Sequence, residues 1–365
     1  MPNEALLCIG TLNRETPYFQ GARGDGLALF GFDDSTLTFR KRAAYPQVEN
    51  PTFLSFSTDG RRIYTNSEVA EWREGLVTAF DFHPASGRLD YLNTQASLGS
   101  IAAHNFISRD GHRLFVVNST VGKGGPDRSL AVFDLQADGV SPAVAGVSHK
   151  GSGPDPARQD RAHAQSVTEV MQGGMVIVAD LGMDALITYR IGADGMPKRI
   201  ATAHTAPGAG PRHVALHQGG RFVFVMNALD CTVTAHDFDP ATGKLAPLDR
   251  QSALPDAARG ESLGSDIQIS ADGLFLYGSL QGHDSIAVFA VDQDSGRLAP
   301  LGLVPCGGST PRHMALTPSG RHLLVANQTS DRVSVLARDA ASGGLSDTGA
   351  ALQIGSPMCL KFAGS

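Results

Sequence analysis

Pro211-Arg212-His213-Val214-Ala215-Leu216 leads through a turn at Gly220 into Arg221-Phe222-Val223-Phe224-Val225-Met226-Asn227. The same figure returns further along the chain. Pro311-Arg312-His313-Met314-Ala315-Leu316 runs through Gly320 into Arg321-His322-Leu323-Leu324-Val325-Ala326-Asn327. A polar start, a short apolar run, a glycine turn and a second apolar run read as a strand hairpin, and its return marks a repeat.

Aligned on the turn glycine, the chain holds six such units, at Gly60, Gly111, Gly173, Gly220, Gly273 and Gly320. Intervals of roughly 45 to 65 residues are those of propeller blades. In each unit a third strand with clean alternation follows, as in Val77-Thr78-Ala79-Phe80. A fourth begins after a polar turn, as in Ser86-Gly87-Arg88-Leu89. Four strands make one blade. The ends complete a seventh: Leu6 to Ile9, Leu27 to Phe30 and Leu37 to Phe39 lack an inner partner, and Pro357 to Phe362 is an inner strand with nothing after it. The expectation is an all-β, seven-bladed β-propeller with four-stranded antiparallel blades, the last closed by both termini, forming a single domain over 1–365. Tandem β-sandwiches are the alternative, but they would leave the unit count and the unpaired ends as coincidences.

Composition agrees. The 42 glycines and 20 prolines follow no Gly-X-Y period, so they mark many tight turns between short strands. A net charge of −6 without a basic run excludes a nucleic-acid partner and favours a small neutral or anionic ligand. There is no apolar segment of membrane-spanning length, so no membrane partner is expected. MPNEALLCIGTLNRE lacks the basic and apolar parts of a signal peptide, which makes the cytoplasm the expected compartment. Cys8, Cys231, Cys306 and Cys359 are too scattered for a zinc site and read as buried thiols. A monomer or small homo-oligomer is expected.

In a propeller the inner strands run the same way along a central channel, so their N-terminal residues gather at one mouth. That topology collects Asn50, His104, His163, Arg212, His213, Asp266, Gln268, Arg312, His313 and Met358. The irregular stretch 149–161, HKGSGPDPARQDR, precedes His163 and is placed to wall the mouth. Neighbours in a regular strand face opposite sides, so only one of each Arg-His pair should reach the channel unless the strand start is irregular. Asn66, Asn118, Asn227 and Asn327, at second-strand ends, read as loop caps. His83, His112, His217, His236 and His322 read as structural or solvated. No HExxH or similar ligand spacing is present, so neither a metal nor a cofactor is expected. The absence of GxSxG, P-loop and GxGxxG motifs removes the usual serine-hydrolase and nucleotide readings.

Several segments together resemble the seven-bladed propeller lactonase family, of 6-phosphogluconolactonase and carboxy-muconate lactonising type. They are Asn50 to Leu54, Gly151 to Pro154 with His163 to Val167, Asp180-Leu181-Gly182, Gly210 to His213, Ser265 to Ser270, Gly282 to Phe289 and Thr310 to His313. The resemblance implies a site at the channel mouth acting on small lactones, with a His, an Arg, a Glu and a second Arg as its polar set. Arg212 matches. Elsewhere the chain departs: Gln165 replaces a second His, Ala228 the Glu, Gln268 a His and Gln281 an Arg. All four changes remove charged or titrating groups.

What the resemblance implies is therefore a hydrolase acting on a sugar-acid lactone, with a modified catalytic set of His163 as general base, Arg212 on the carbonyl or an anionic substituent, and Arg312 or His313 helping the developing charge or substrate placement. His104, Gln165, His213, Asp266, Gln268, Gln281 and His313 are expected to bind substrate, and Glu261 is the nearest replacement carboxylate in sequence. The alternatives are a lactone isomerase or cycloisomerase and a non-catalytic carbohydrate- or organic-acid-binding propeller.

Overall fold

A computed structural model of the protein describes residues 4–119, 126–170, 174–255, 258 and 260–364. Seven four-stranded antiparallel sheets follow one another around a ring. Blades I to VI span 54–96, 102–147, 164–204, 211–252, 263–305 and 311–353; blade VII joins 357–362 to the strands of 4–45. Their inner strands are Leu54–Phe56, Ala102–Ile107, Ala164–Glu169, Pro211–Leu216, Leu263–Ile269, Pro311–Leu316 and Pro357–Phe362, each touching the next around the ring. The fourfold strand count per blade and the seventh blade built from both ends are as the repeat predicts.

The second strand of each blade explains why the sequence reads as continuous apolar runs there. Phe222–Asn227 is buried throughout. Phe222, Phe224 and Met226 pack towards blade V, while Val223 and Val225 pack towards blade III. A strand covered on both faces needs apolar residues at every position. Seven apolar clusters result, each shared by two adjacent blades. The ring is thus held by burial between blades, at about 25 cal/mol per Å² of apolar surface.

Antiparallel pairing of Pro357–Phe362 with Glu4–Thr11 removes the two free edges an open array would present. The fit there is tight: a Cβ on Gly10 would lie 1.9 Å from the Pro51 carbonyl oxygen, so only glycine lets blade VII approach blade I. The turn glycines Gly60, Gly111, Gly220, Gly273 and Gly320 hold φ values of 68° to 74°, the left-handed region that glycine enters without strain. Gly173 lies outside the described residues; its neighbour Gly174 has a φ of 57°.

Cys8, Cys231, Cys306 and Cys359 are all buried. Among the described residues no helix is long and apolar enough to cross a membrane.

Candidate active site

Six of the seven inner strands begin with a register shift against their second strand. Pro211 pairs with Asn227 and His213 with Met226, leaving Arg212 as the extra residue; Arg312, Gln165, Ala103 and Met358 occupy the equivalent place in their blades. A bulge turns two successive side chains towards one side. This is the irregularity that lets Arg212 and His213 both reach the channel, against the strict alternation of a regular strand.

The bulged residues line a cavity of about 830 Å³ at one mouth of the channel. Second strands run antiparallel to the inner ones, so their last residues arrive at the same mouth: Glu68, Ser119, Leu181, Ala228, Gln281 and Gln328 complete the lining. Two loops wall it. One carries Tyr18 and Phe19, between the first two strands of blade VII; the other is the stretch before His163, contributing Ala157, Arg158, Asp160 and Arg161.

Arg212 and Arg312 share this cavity, and neither has a carboxylate within ion-pairing distance among the described residues. Arg212 donates only a long bond from Nη1 to the Gly264 carbonyl (3.5 Å), and its buried Nε has no partner. Burial, reinforced by the charge of Arg312, pulls its guanidinium down to about 9. Arg312 donates to Gln281 Oε1 (3.5 Å) and lies 5.4 Å over the Tyr18 ring. Tyr18, itself about half exposed, in turn donates to Glu68 Oε1 at 2.7 Å. Four arginines against two carboxylates, Glu68 and Asp160, give the mouth a positive field on a protein of net charge −6.

His163 stands on the rim with its side chain 13% exposed. Its Nε2 meets Asp160 Oδ1 at 3.1 Å, its Nδ1 meets Ser119 Oγ at 3.4 Å, and its backbone N–H donates to Asp180 Oδ1 at 2.8 Å. Asp180 is fixed from behind by His149 Nδ1 at 2.6 Å. Gln165 donates to Ser119 Oγ at 3.4 Å.

Beneath the mouth, the rings of Phe53, His213 and His313 form a layer across the channel. They line the mouth cavity and also a second cavity of about 300 Å³ on the far side. His104, Asp266 and Gln268 line only that far cavity, which corrects their expected place at the mouth. Their positions have physical causes. His104 stacks on Phe53 at 3.8 Å between ring centres, and burial drives its imidazole well below the usual range. In blade V the bulge spans Ser265 and Asp266, and Asp266 is drawn down into bonds with His213 Nδ1 (2.8 Å), the Met314 N–H (2.8 Å) and Gln268 Nε2 (3.0 Å). Burial alone would raise its carboxyl, but the charge of His313 and the bond from His213 carry it well below the usual carboxylate range. Burial holds the His213 imidazole below its ordinary value and pushes His313 down to about 3.

Glu261 is exposed and absent from the mouth lining, so it does not replace the missing carboxylate. Glu68, Asp160, Tyr18 and Ser119 were not anticipated from the sequence. The ends of the second strands were the available signal for Glu68 and Ser119. No group of three or more His, Cys, Asp or Glu among the described residues is arranged to hold a metal ion. A separate groove of about 600 Å³ on the outside of blade IV has its Arg221 already paired with Asp237 at 3.0 Å.

The family model described as lactonase, 7-bladed beta-propeller matches residues 7–362. The chain belongs to that family. It is similar to a 6-phosphogluconolactonase of Bacillus subtilis, 31% identical over 339 residues that cover 93% of this chain and 94% of the relative. A 6-phosphogluconolactonase of Formosa agariphila is 32% identical over 330 residues, covering 88% and 91%. Among solved structures, the periplasmic gluconolactonase of Pseudomonas aeruginosa matches with a TM-score of 0.90 at 30% identity, covering 99% of each chain. Ala228 and Gln281 line the mouth at the positions where the resemblance predicts Glu and Arg.

Proposed function

We propose that this protein hydrolyses a sugar-acid lactone at the channel mouth, and that its preferred substrate carries an anionic substituent. One observation carries the reading: two arginines, Arg212 and Arg312, face one cavity with no carboxylate partner of their own. A buried cation without a counter-charge is costly unless a ligand supplies one. Attack of water on a lactone carbonyl creates such a charge, and donors aimed at the forming oxyanion favour it over the ground state. Arg158, exposed at the rim, adds a cation for a phosphate or carboxylate arm. Water activation falls to a histidine at the mouth; the rim residue His163, with Asp160 behind it, is the base expected from sequence.

The names of the two bacterial relatives support the same class, and their phosphorylated lactone is the first substrate to try. The test is pH-stat titration of acid release from 6-phosphoglucono-δ-lactone and glucono-δ-lactone against their spontaneous opening. Acceleration of either, greater for the phosphorylated compound, is the expected result. Equal rates with and without protein remove the proposal. A new product without acid release would instead indicate an isomerase.

A further inference from the structure

Two histidine–carboxylate pairs approach the mouth, and they differ in what their second nitrogen does. At the rim, His163 has both ring nitrogens engaged, Nε2 by Asp160 and Nδ1 by Ser119. With Nε2–H given to the Asp160 carboxylate, Nδ1 of the neutral ring can only accept, so its 3.4 Å contact takes the Ser119 hydroxyl as donor. On the channel floor the arrangement is opposite. His213 gives its Nδ1–H to Asp266, while its Nε2 has no partner among the described residues and is not fully buried, on a ring that lines both the mouth and the far cavity. A buried carboxylate on Nδ1 fixes the tautomer, leaves the Nε2 lone pair available and stabilises the imidazolium that forms on proton uptake.

The carboxylate is itself held against movement. Asp266 takes bonds from His213, the Met314 and Ile267 N–H groups and Gln268. His313 approaches its Oδ2 only to 3.8 Å, with Nδ1 turned to the Leu360 N–H. His213 is therefore the oriented base of the floor layer, and its chain neighbour Arg212 brings the cation next to it.

We propose that His213, oriented by Asp266, is the proton-transfer residue of the lactone hydrolysis, and that His163 positions the substrate at the rim. The inference rests on the lactonase reading above. In the forward step a water molecule gives a proton to His213 Nε2 as its oxygen bonds to the carbonyl carbon. The carbonyl π electrons move to the oxygen, between Arg212 and Arg312. Collapse of that adduct re-forms the C=O bond and breaks the bond to the ring oxygen, which takes the proton back from Nε2 and leaves as a hydroxyl. The product is the open hydroxy acid, which loses its own proton to water. No redox partner or metal enters.

The reaction requires neutral His213, so kcat falls as pH drops through its pKa, which burial holds below the ordinary imidazole value. The groups that face the ring are Asp266, His104, His313 and Lys361 from other blades and Arg212 on its own strand; burial acts most strongly, Asp266 opposes it, and Arg212 and Lys361 add to it.

The experiment compares wild type, His213→Gln, His213→Ala and His163→Gln in the pH-stat assay from pH 4.5 to 8.5. Binding of the product sugar acid is followed separately by thermal shift. His213→Gln is expected to lower kcat by at least about 100-fold, within the range for loss of a general base, to abolish the acid limb and to keep the product-induced thermal shift. His213→Ala should regain activity with added imidazole. His163→Gln should raise KM, lower kcat by less than about tenfold and keep the acid limb. An active wild type with kcat of folded His213→Gln within threefold of it, or loss of the acid limb in His163→Gln instead, overturns the inference and leaves the lactonase reading intact. If neither His213 variant folds, the wild-type profile decides: a flat acid side down to pH 4.5 overturns the proposal, and a single-proton limb supports it. A wild type that opens no lactone overturns both.

Discussion

Replacing Arg212 by methionine should make the protein more stable and far less active. Its half-buried guanidinium donates one long bond, and desolvation, reinforced by the charge of Arg312, pulls it from the ordinary guanidinium value down to about 9. A shift of that size corresponds to at most about 5 kcal/mol at 1.36 kcal/mol per unit; water in the mouth reduces it to an expected 2–5 kcal/mol. The sign follows from linkage. The unfolded chain holds this proton more tightly than the folded one, so the penalty on folding is fully present below about pH 9 and fades as pH rises from there towards the ordinary guanidinium value. Methionine keeps the packing of the stem and removes the charge. With an unfolding entropy of about 2.1 cal/mol/K per residue, the gain converts to a Tm higher by about 3–6 °C near neutral pH. Removing an oxyanion donor from the site should lower kcat by about 10²–10³-fold. Calorimetry and the pH-stat assay on the same preparation measure both. Wild type alone should gain further stability from 6-phosphogluconate, about 2.7 kcal/mol at a hundred times its Kd. A variant that melts below wild type, or keeps kcat within threefold, would refute the view of Arg212 as a cation stored for a ligand.

Two further outcomes test the field of the mouth and the closure of the ring. Raising ionic strength from 0.01 to 0.15 M shortens the Debye length from about 30 to about 8 Å, so kcat/KM for the phosphorylated lactone should fall by about tenfold, and for the neutral lactone by less than about twofold; equal slopes would count against attraction by the mouth arginines. Gly10→Ala puts a methyl group 1.9 Å from the Pro51 carbonyl oxygen, and should cost at least about 1–3 kcal/mol, seen as a lowered melting temperature. Gly260→Ala, with open space around it, should melt like wild type.

The blade count was legible because burial on both faces writes itself into sequence as apolar runs such as Phe222 to Met226, separated by glycines whose φ only glycine tolerates. Most of the channel residues were legible from topology, but their depth was not, and Asn50 lines neither cavity because its buried side chain ties the Asn13 and Arg14 N–H groups to the Glu68 carbonyl. Depth depends on the bulges, and nothing in Pro211-Arg212-His213 announces that Arg212 is the extra residue against Asn227 and Met226. Alternation therefore predicts one inward side chain where the structure delivers two. The carboxylates were missed for a different reason. Reading only the starts of inner strands leaves out the antiparallel ends beside them, where Glu68 follows the strand ending at Ser67 and Ser119 the strand ending at Asn118. The asparagines there proved to be ties within the backbone, Asn66 to the Ala102 carbonyl and Asn118 to those of Ser97 and Arg128.

Once the bulge is known, the repeated Pro-Arg-His segment takes on a second meaning. The extra residue rises to the mouth as the arginine, and the next turns to the axis as the histidine, so each copy contributes to both tiers of the channel. The copies belong to blades IV and VI, with blade V between them. Asp266 lies within the intervening inner strand, where it bonds His213 from one neighbour and the Met314 N–H from the other, with His313 at 3.8 Å. One carboxylate thus meets both copies, yet only His213 is close enough to be oriented by it. The near-symmetry of the sequence is broken at the site by a distance of 2.8 Å against 3.8 Å, and that difference is what makes one of two apparently equivalent histidines the base.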